Sequence, residues 1–517
     1  MIRVGIDVGG TNTDAVVMRG REVLHGLKTA TTADVMGGVL KALRAVVDGA
    51  GVGMEMIDAV MIGTTHFTNA LVERRNLSPV GIIRLGLPAT SGLPPGCDWP
   101  DDMLAAVKLH WRLAHGGYEY DGKQIGSLDP DEIRRFAGEF AEAGLSDIAI
   151  SCAFSILNDE QEARAATIVR EVIPGARITL SSQIGRLGLL ERENAAILNA
   201  CLGPLGLEVV AAFKRALADS GISAPFYLTQ NDGTLMAADQ AASFPILTVA
   251  SGPTNSMRGA AFLSGLRDAI VVDIGGTTSD VGVLQAGFPR LAGVVVEVGG
   301  VRTNFRMPDV YSMGLGGGSR VAANFSTLGP QSVGYAIHTE ALVFGGSTLT
   351  ATDIAVAAGV AGLGDSQKVA HLPSAAITGC YERLENMVFN AIERMRTSAD
   401  ALPVVVVGGG SILLRPELRG MAIIVPQHFG CANAVGAAMA QVSGEMDRVV
   451  RLDEISRDQA IAQVRGEAES KAVRAGANAA TLVVIDVEDV PLAYISGNAT
   501  RIRVRVVGDL NEREKAA

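Results

Sequence analysis

The chain has 517 residues, 48% of them apolar and 19% charged, too long for one ordinary core and too apolar for a disordered chain, so two or three domains are expected. Its net charge of −11, from 44 Lys and Arg against 55 Asp and Glu, excludes a nucleic-acid partner as the leading expectation, because phosphate backbones are bound by neutralising cations. Cys97, Cys152, Cys201, Cys380 and Cys431 lie far apart, which leaves no CxxC motif and fits buried, reduced thiols. The first residues lack a leader pattern and no apolar run is expected to span a bilayer, so a cytoplasmic location without a membrane partner is the expectation.

In chain order, residues 4–17 (VGIDVGGTNTDAVV) read as two β-branched runs around a tight Gly-Gly turn. Residues 59–62 form a short buried strand that runs into Gly63, Thr64, Thr65 and His66, at a strand end where α/β proteins place ligands. Residues 148–152 read as a strand, 189–201 as a helix and 226–230 as a strand. Residues 270–283 (IVVDIGGTTSDVGV) then repeat the opening pattern. Asp7 and Asp273 stand 266 residues apart, about half the chain, which indicates a duplicated domain. A glycine-rich loop follows at 314–319, and a valine run at 404–407 ends in three glycines before an Ala-rich helix near 433–440. Beyond 445 the composition changes. Ser456 and Gln459 make a capping box, Ile461, Val464, Ala468 and Ala472 share a helical face, Gly476 ends it, and 481–487 and 501–507 read as strands. Alternating strands and helices give an α/β fold. Domains are expected at 1–185 and 186–445, with a small α+β appendage at 446–517 packing on the second of them.

Each glycine hairpin suits a phosphate. Without a Cβ in the way, successive backbone N–H groups of such a turn form an anion-binding nest. Gly9, Gly10, Thr11, Asn12 and Thr13 would line one wall, and Gly275, Gly276, Thr277 and Thr278 the other. Asp7 and Asp273 supply the charge to hold Mg²⁺, directly or through its waters, while Asp14 and Asp280 orient the turns or hold metal-bound water. Phosphoryl transfer needs positioning and charge neutralisation more than covalent help. Asp7, Asp273, Thr64, Thr65 and His66 are therefore the catalytic candidates, with ATP and Mg²⁺ as cofactors. Gly408, Gly409 and Gly410 suit either an adenosine-contacting loop or a plain strand-to-helix turn. Gly316 and Gly317 either approach phosphate or flex as a hinge, and His66 either faces a ligand or is structural.

The strings IDVGGTNTDAVV, IGTTHFTNALVERR, LLERENAAILNA, TQNDGTL, SGPTNSMRGAA, VVDIGGTTSDVGVL, MPDVYSMGLGGGS and LTATDIAVAAG, in that order, resemble the hydantoinase A/5-oxoprolinase family over roughly residues 1–440. The resemblance implies duplicated actin-like (ribonuclease H-like) domains with ATP in the cleft between them. It implies ATP-dependent opening of a cyclic amide or imide, such as a hydantoin or lactam, through a phosphorylated intermediate. It further implies a second subunit or a homo-oligomer. ATP-dependent ketone carboxylation, small-molecule phosphorylation and activation of a partner enzyme are the alternatives. Long family members carry a further C-terminal domain, have an apolar residue where this chain has His66, and continue differently at residues 85–95.

Overall fold

The computed structural model describes residues 1–9, 12–30, 35–293, 295–398, 401–493 and 497–511. The first glycine unit forms the hairpin β1 (Ile2–Val8) and β2 (Asn12–Arg19), extended by β3 (Glu22–Ala30). Helix α1 (Val35–Ala50) follows, then β4 (Ala59–Thr64) and α2 (His66–Glu73). β1 pairs antiparallel with β2 and parallel with β4. Its near-continuous burial explains its apolar run: α1 covers one face, and a helix from the far end of the chain covers the other.

The same pattern recurs in the second half. β5 (Ala269–Ile274) pairs antiparallel with β6 (Ser279–Gln285) and parallel with β7 (Val404–Val407). Asp7 faces Asp14 in the first hairpin, and Asp273 faces Asp280 in the second. The duplication read from the sequence is thus a duplication of strand register, and the molecule has the mixed α/β, actin-like architecture that was expected.

The first sheet has nine strands and draws on distant segments. Beyond β4 it continues through Phe226–Thr229, Thr234–Ala237, Gln441–Arg451, Ala499–Gly508 and Val483–Pro491. The C-terminal strands therefore continue the sheet that holds β1, and they join it through Thr234–Ala237, which lies within the 186–445 stretch on which the appendage was expected to pack. Ser456 and Gln459 make the expected capping box at the start of the helix Arg457–Arg474, whose buried Val464, Ala468 and Ala472 lie on these strands.

A four-stranded parallel sheet, in the order His110–His115, Val80–Leu87, Asp147–Cys152, Arg177–Leu180, stands between α2 and the next long helix. That helix, α3 (Leu189–Asp219), is 31 residues long and apolar enough by composition to cross a membrane, which corrects the expectation that no run is so long. Most of the apolar stretch is buried inside the fold, where α3 packs against Asp147–Cys152, Arg177–Leu180 and several neighbouring helices. Its buried polar side chains are paired: Glu193 accepts from Arg84 and Ser151, and Arg192 donates to the Cys152 carbonyl.

Two helices separate the two glycine-hairpin sheets. α4 (Ser251–Ser264) lies on β5, β6 and β7, and α5 (Ala432–Ala438) lies on β1, β2 and β4. They cross at backbone contact distance. A Cβ at Gly436 would stand 1.8 Å from the Asn255 carbonyl oxygen, and one at Gly259 would stand 1.9 Å from that of Ala432.

Candidate functional site

Each lobe presents one aspartate at the end of its first strand, and glycine creates the space for it. Gly63, opposite Asp7 on β4, would place a Cβ 2.2 Å from Asp7 Oδ1. Gly408, just after β7, would place one 2.2 Å from Asp273 Oδ1. In both lobes, then, the carboxylate lies over the end of the neighbouring parallel strand, where any other residue would displace it. The hairpin turns close alike: Gly9 N–H donates to the Asn12 carbonyl at 3.0 Å, and Gly275 N–H donates to the Thr278 carbonyl at 2.9 Å.

The central helix pair fixes Asp7. Asn255 Nδ2, on α4, donates to Asp7 Oδ1 at 2.9 Å and to Thr229 Oγ1 at 3.0 Å. Asn433 Nδ2, on α5, donates to Asp7 Oδ2 at 3.2 Å. Ser256 follows Asn255 on α4, and its hydroxyl pulls the Asp273 pKa down against the effect of burial. The helix crossing thereby sets the Asp7 carboxylate from two sides.

Burial raises all four aspartate pKa values. Asp7 is raised first by desolvation and further by the charge of Asp273; the two asparagines and Lys28 offset part of this. Asp273 is likewise raised by burial, against the pull of Ser256 and Lys28. Asp14 is pushed up to about 6 by burial, despite its ion pair with Lys28. Asp280 is pushed up to about 6 by burial, although Ser312 donates to it. The cation whose field acts on Asp7, Asp14 and Asp273 alike is Lys28, directly across the β2–β3 pair from Asp14.

The strand-end loop of the first lobe is tied to the hairpin. Thr65 donates to the Val8 carbonyl from both its backbone N–H, at 3.3 Å, and its hydroxyl, at 3.2 Å. Buried Thr64 hydrogen-bonds His66 Nδ1 through its hydroxyl. His66 begins α2, and burial lowers its pKa, favouring the neutral imidazole. With Nδ1 engaged by Thr64, Nε2 is the nitrogen left to meet a reactant.

The sequence candidates divide mainly between the two glycine hairpins. Asp7, Asp14, Thr64, Thr65 and His66 gather at one strand edge, and Asp273, Asp280, Gly275, Gly276 and Gly408 to Gly410 gather opposite. Thr277 is half-buried and Thr278 exposed at the tip of the second turn, while Asn12 and Thr13 lie at the start of β2. Gly316 and Gly317 are buried beneath that second turn. Gly316 N–H donates to Ser319 Oγ at 2.8 Å and Gly317 N–H to the Gly275 carbonyl at 3.0 Å, so these amides buttress the hairpin. Gly10 and Thr11 lie outside the described residues. Sequence reasoning missed Lys28, Asn255, Ser256 and Asn433. Asn255 stands inside the SGPTNS string, but its bond to Asp7 spans 248 residues, and no local pattern announces that.

Comparison with known proteins matches residues 3–173 to the hydantoinase/oxoprolinase N-terminal region and residues 192–362 to hydantoinase/oxoprolinase. Among curated relatives, the acetophenone carboxylase gamma subunit of Aromatoleum aromaticum is 26% identical over 395 residues, covering 69% of this chain and 53% of that protein. The caprolactamase subunit alpha of Pseudomonas jessenii is 26% identical over 381 residues, covering 69% of this chain and 54% of that protein. The chain thus spans about half the length of the curated relatives it matches. In three dimensions it resembles the ATP-dependent caprolactamase from Pseudomonas jessenii, with a TM-score of 0.78 and 18% identity over 98% of this chain and 88% of that one. It also resembles the nucleotide-free acetone carboxylase, with a TM-score of 0.68 and 18% identity over 99% of this chain and 88% of that one. With both halves matched in order and both glycine hairpins built as the duplicated pattern required, the chain belongs to the hydantoinase/oxoprolinase family.

Proposed function

We propose that this chain is the nucleotide-using component of an ATP-dependent enzyme that opens a small cyclic amide or imide, acting with a second subunit or a further copy of itself. The observation that carries this reading is the pair of aspartate-over-glycine arrangements, Asp7 on Gly63 and Asp273 on Gly408, the first held by the crossing of α4 and α5. ATP would supply a phosphoryl group to the amide oxygen, making the amide carbon electrophilic; one water adds there, the C–N bond of the ring breaks with the nitrogen leaving as the protonated amine, and a second water releases phosphate from the acid. The chain's part is positioning and charge. The glycine turns that follow β1 and β5 would take phosphate oxygens, Thr65 holds the strand-end loop against the hairpin, and Thr64 orients His66. Neutral His66 offers Nε2 to the carbonyl or to the attacking water.

The residues present fit Mg²⁺ with a nucleotide. Asp7 and Asp273 are buried carboxylates within reach of one another's field, and burial penalises their charge until a cation offsets it. Among the described residues no three His, Cys, Asp or Glu side chains converge as a closed metal cage. Magnesium is ordinarily held by one or two carboxylates and completed by waters and phosphates, which matches this pair.

A second reading is ATP-dependent ketone carboxylation, favoured by the similarity to the acetophenone carboxylase gamma subunit. One screen separates the readings: ATP hydrolysis measured with hydantoins, lactams, cyclic imides and small ketones, each with and without bicarbonate. A ring-opened acid is the expected product. A new carboxylate would replace this reading with carboxylation, and a stable phosphate ester would make the protein a kinase. Stimulation by another protein alone would place it among activating ATPases. On the best substrate, His66→Ala is expected to lower turnover on the order of 10²-fold or more; unchanged turnover would return His66 to a structural part.

A further inference from the structure

Four buried or half-buried carboxylates, Asp7, Asp14, Asp273 and Asp280, surround the place where the nucleotide reading puts a polyphosphate. Such a mouth repels phosphate unless a cation stands in it. Backbone nests supply partial charges only, and a divalent ion is shared with the aspartates themselves. Lys28 is a full cation fixed in the chain at this place. It rises from β3, the edge strand of the first sheet, and its ammonium pairs with Asp14 across the β2–β3 ladder. Its stem continues to the other lobe: a Cβ built on Gly409 would sit 4.0 Å from Lys28 Cε. Lys28 thus stands in the seam, between the first hairpin and the glycine turn of the second half.

The exposure of the pair is uneven. The Asp14 side chain is 8% exposed and the Lys28 side chain 34%, so the carboxylate is fixed while the ammonium opens to solvent. An ammonium has three donors on a flexible stem. A partly exposed lysine can therefore turn from one anion to a second without leaving the first bare of its field.

We propose that Lys28 is a phosphate-binding residue that takes the β- and γ-phosphates of the nucleotide from the seam and so links the polyphosphate to both lobes. This rests on the nucleotide reading above. In the ligand-free protein Lys28 offsets the charge of Asp14; with nucleotide bound, it turns its remaining donors to phosphate oxygens beside Gly409. The turn at 408–410 is exposed at Gly409 alone, which leaves room for that approach.

The test is calorimetric titration of ATP, ADP and AMP, each with Mg²⁺, into the wild-type chain and into Lys28→Met and Lys28→Arg. The wild type is expected to prefer ATP and ADP to AMP. Lys28→Met is expected to lose on the order of 10- to 100-fold in affinity for ATP and ADP while AMP changes little, and Lys28→Arg is expected to recover most of the loss. A Lys28→Met chain that keeps the wild-type ATP-to-AMP ratio overturns the assignment and leaves the nucleotide reading standing. A wild type that binds none of the three ends both. Should Lys28→Met not fold, amine acetylation of the wild-type protein, read by mass spectrometry, decides instead. Bound MgADP is expected to protect Lys28, and labelling undiminished under saturating MgADP overturns the assignment.

Discussion

A desolvated carboxylate at a strand end, with a second carboxylate nearby and only part of its charge offset, costs the native state free energy. Asp7 is such a group, and Asp273 is its counterpart. Their folded-state pKa values are raised, so the native chain keeps these protons to higher pH than the unfolded chain does. The groups therefore favour folding below the ordinary aspartate range and oppose it as pH rises through the folded values. Asp7→Asn and Asp273→Asn are expected to melt at higher temperature than the wild type at pH 7.5, with the advantage vanishing near pH 4. Both are expected to lose at least about 10²-fold in ATP turnover, roughly 3 kcal/mol of transition-state stabilisation. Melting curves across pH, beside an ATPase assay, check this; lower melting temperatures at pH 7.5 would mean that the carboxylates hold the fold together. These aspartates were legible because they repeat in the same local string. Asn255, Asn433 and Lys28 were not, because their meaning depends on tertiary neighbours, and an isolated asparagine or lysine looks like any other surface residue.

At the scale of the element, the crossing of α4 and α5 controls the site. Asn255 and Asn433 reach Asp7 because the two helices approach to backbone contact, and Gly259 and Gly436 permit this. Gly436→Ala would force its methyl group into the Asn255 carbonyl. A loss of ~1–3 kcal/mol or more in stability is expected from such overpacking, together with a fall in turnover larger than the fall in nucleotide affinity, since Asp7 would lose its orientation. Chemical denaturation and steady-state kinetics on one preparation measure both; a silent substitution would show that the crossing is slack. The strands and hairpins on either side were legible from β-branched runs broken by glycine. The 31-residue α3 was read only over 189–201, and in the fold it runs on through Pro204, a residue that ordinarily breaks a helix, to Asp219. Burial on several sides holds the helix through that residue.

The whole molecule was the least legible scale. Composition and strand–helix alternation indicated an α/β fold and the half-length repeat marked two matching hairpins, but strand pairing over hundreds of residues leaves no mark in a local window. The C-terminal strands looked like a separate appendage, and nothing in Gln441–Arg451 or Ala499–Gly508 names Thr234–Ala237 as the strand they extend. Charges buried by that joining hold it: Arg505 pairs with Asp232, and Arg306 pairs with both Asp232 and Glu445.

That strand order also sets a timetable for synthesis. β1 meets β4 early, but the sheet remains open beyond Thr234–Ala237 until the three C-terminal strands have been made. At translation rates of about 5–20 residues per second, the roughly 200 residues between Ala237 and Gln441 keep that edge bare for about 10–40 s. A bare strand edge pairs with whatever strand it meets. A fragment of residues 1–440 is therefore expected to aggregate, or to co-purify with chaperones, under conditions in which the 517-residue chain is monodisperse by size-exclusion chromatography. A well-behaved fragment would mean that the first four residues of the open edge protect themselves. For the nascent chain, the last strands made decide whether the first ones are still unclaimed.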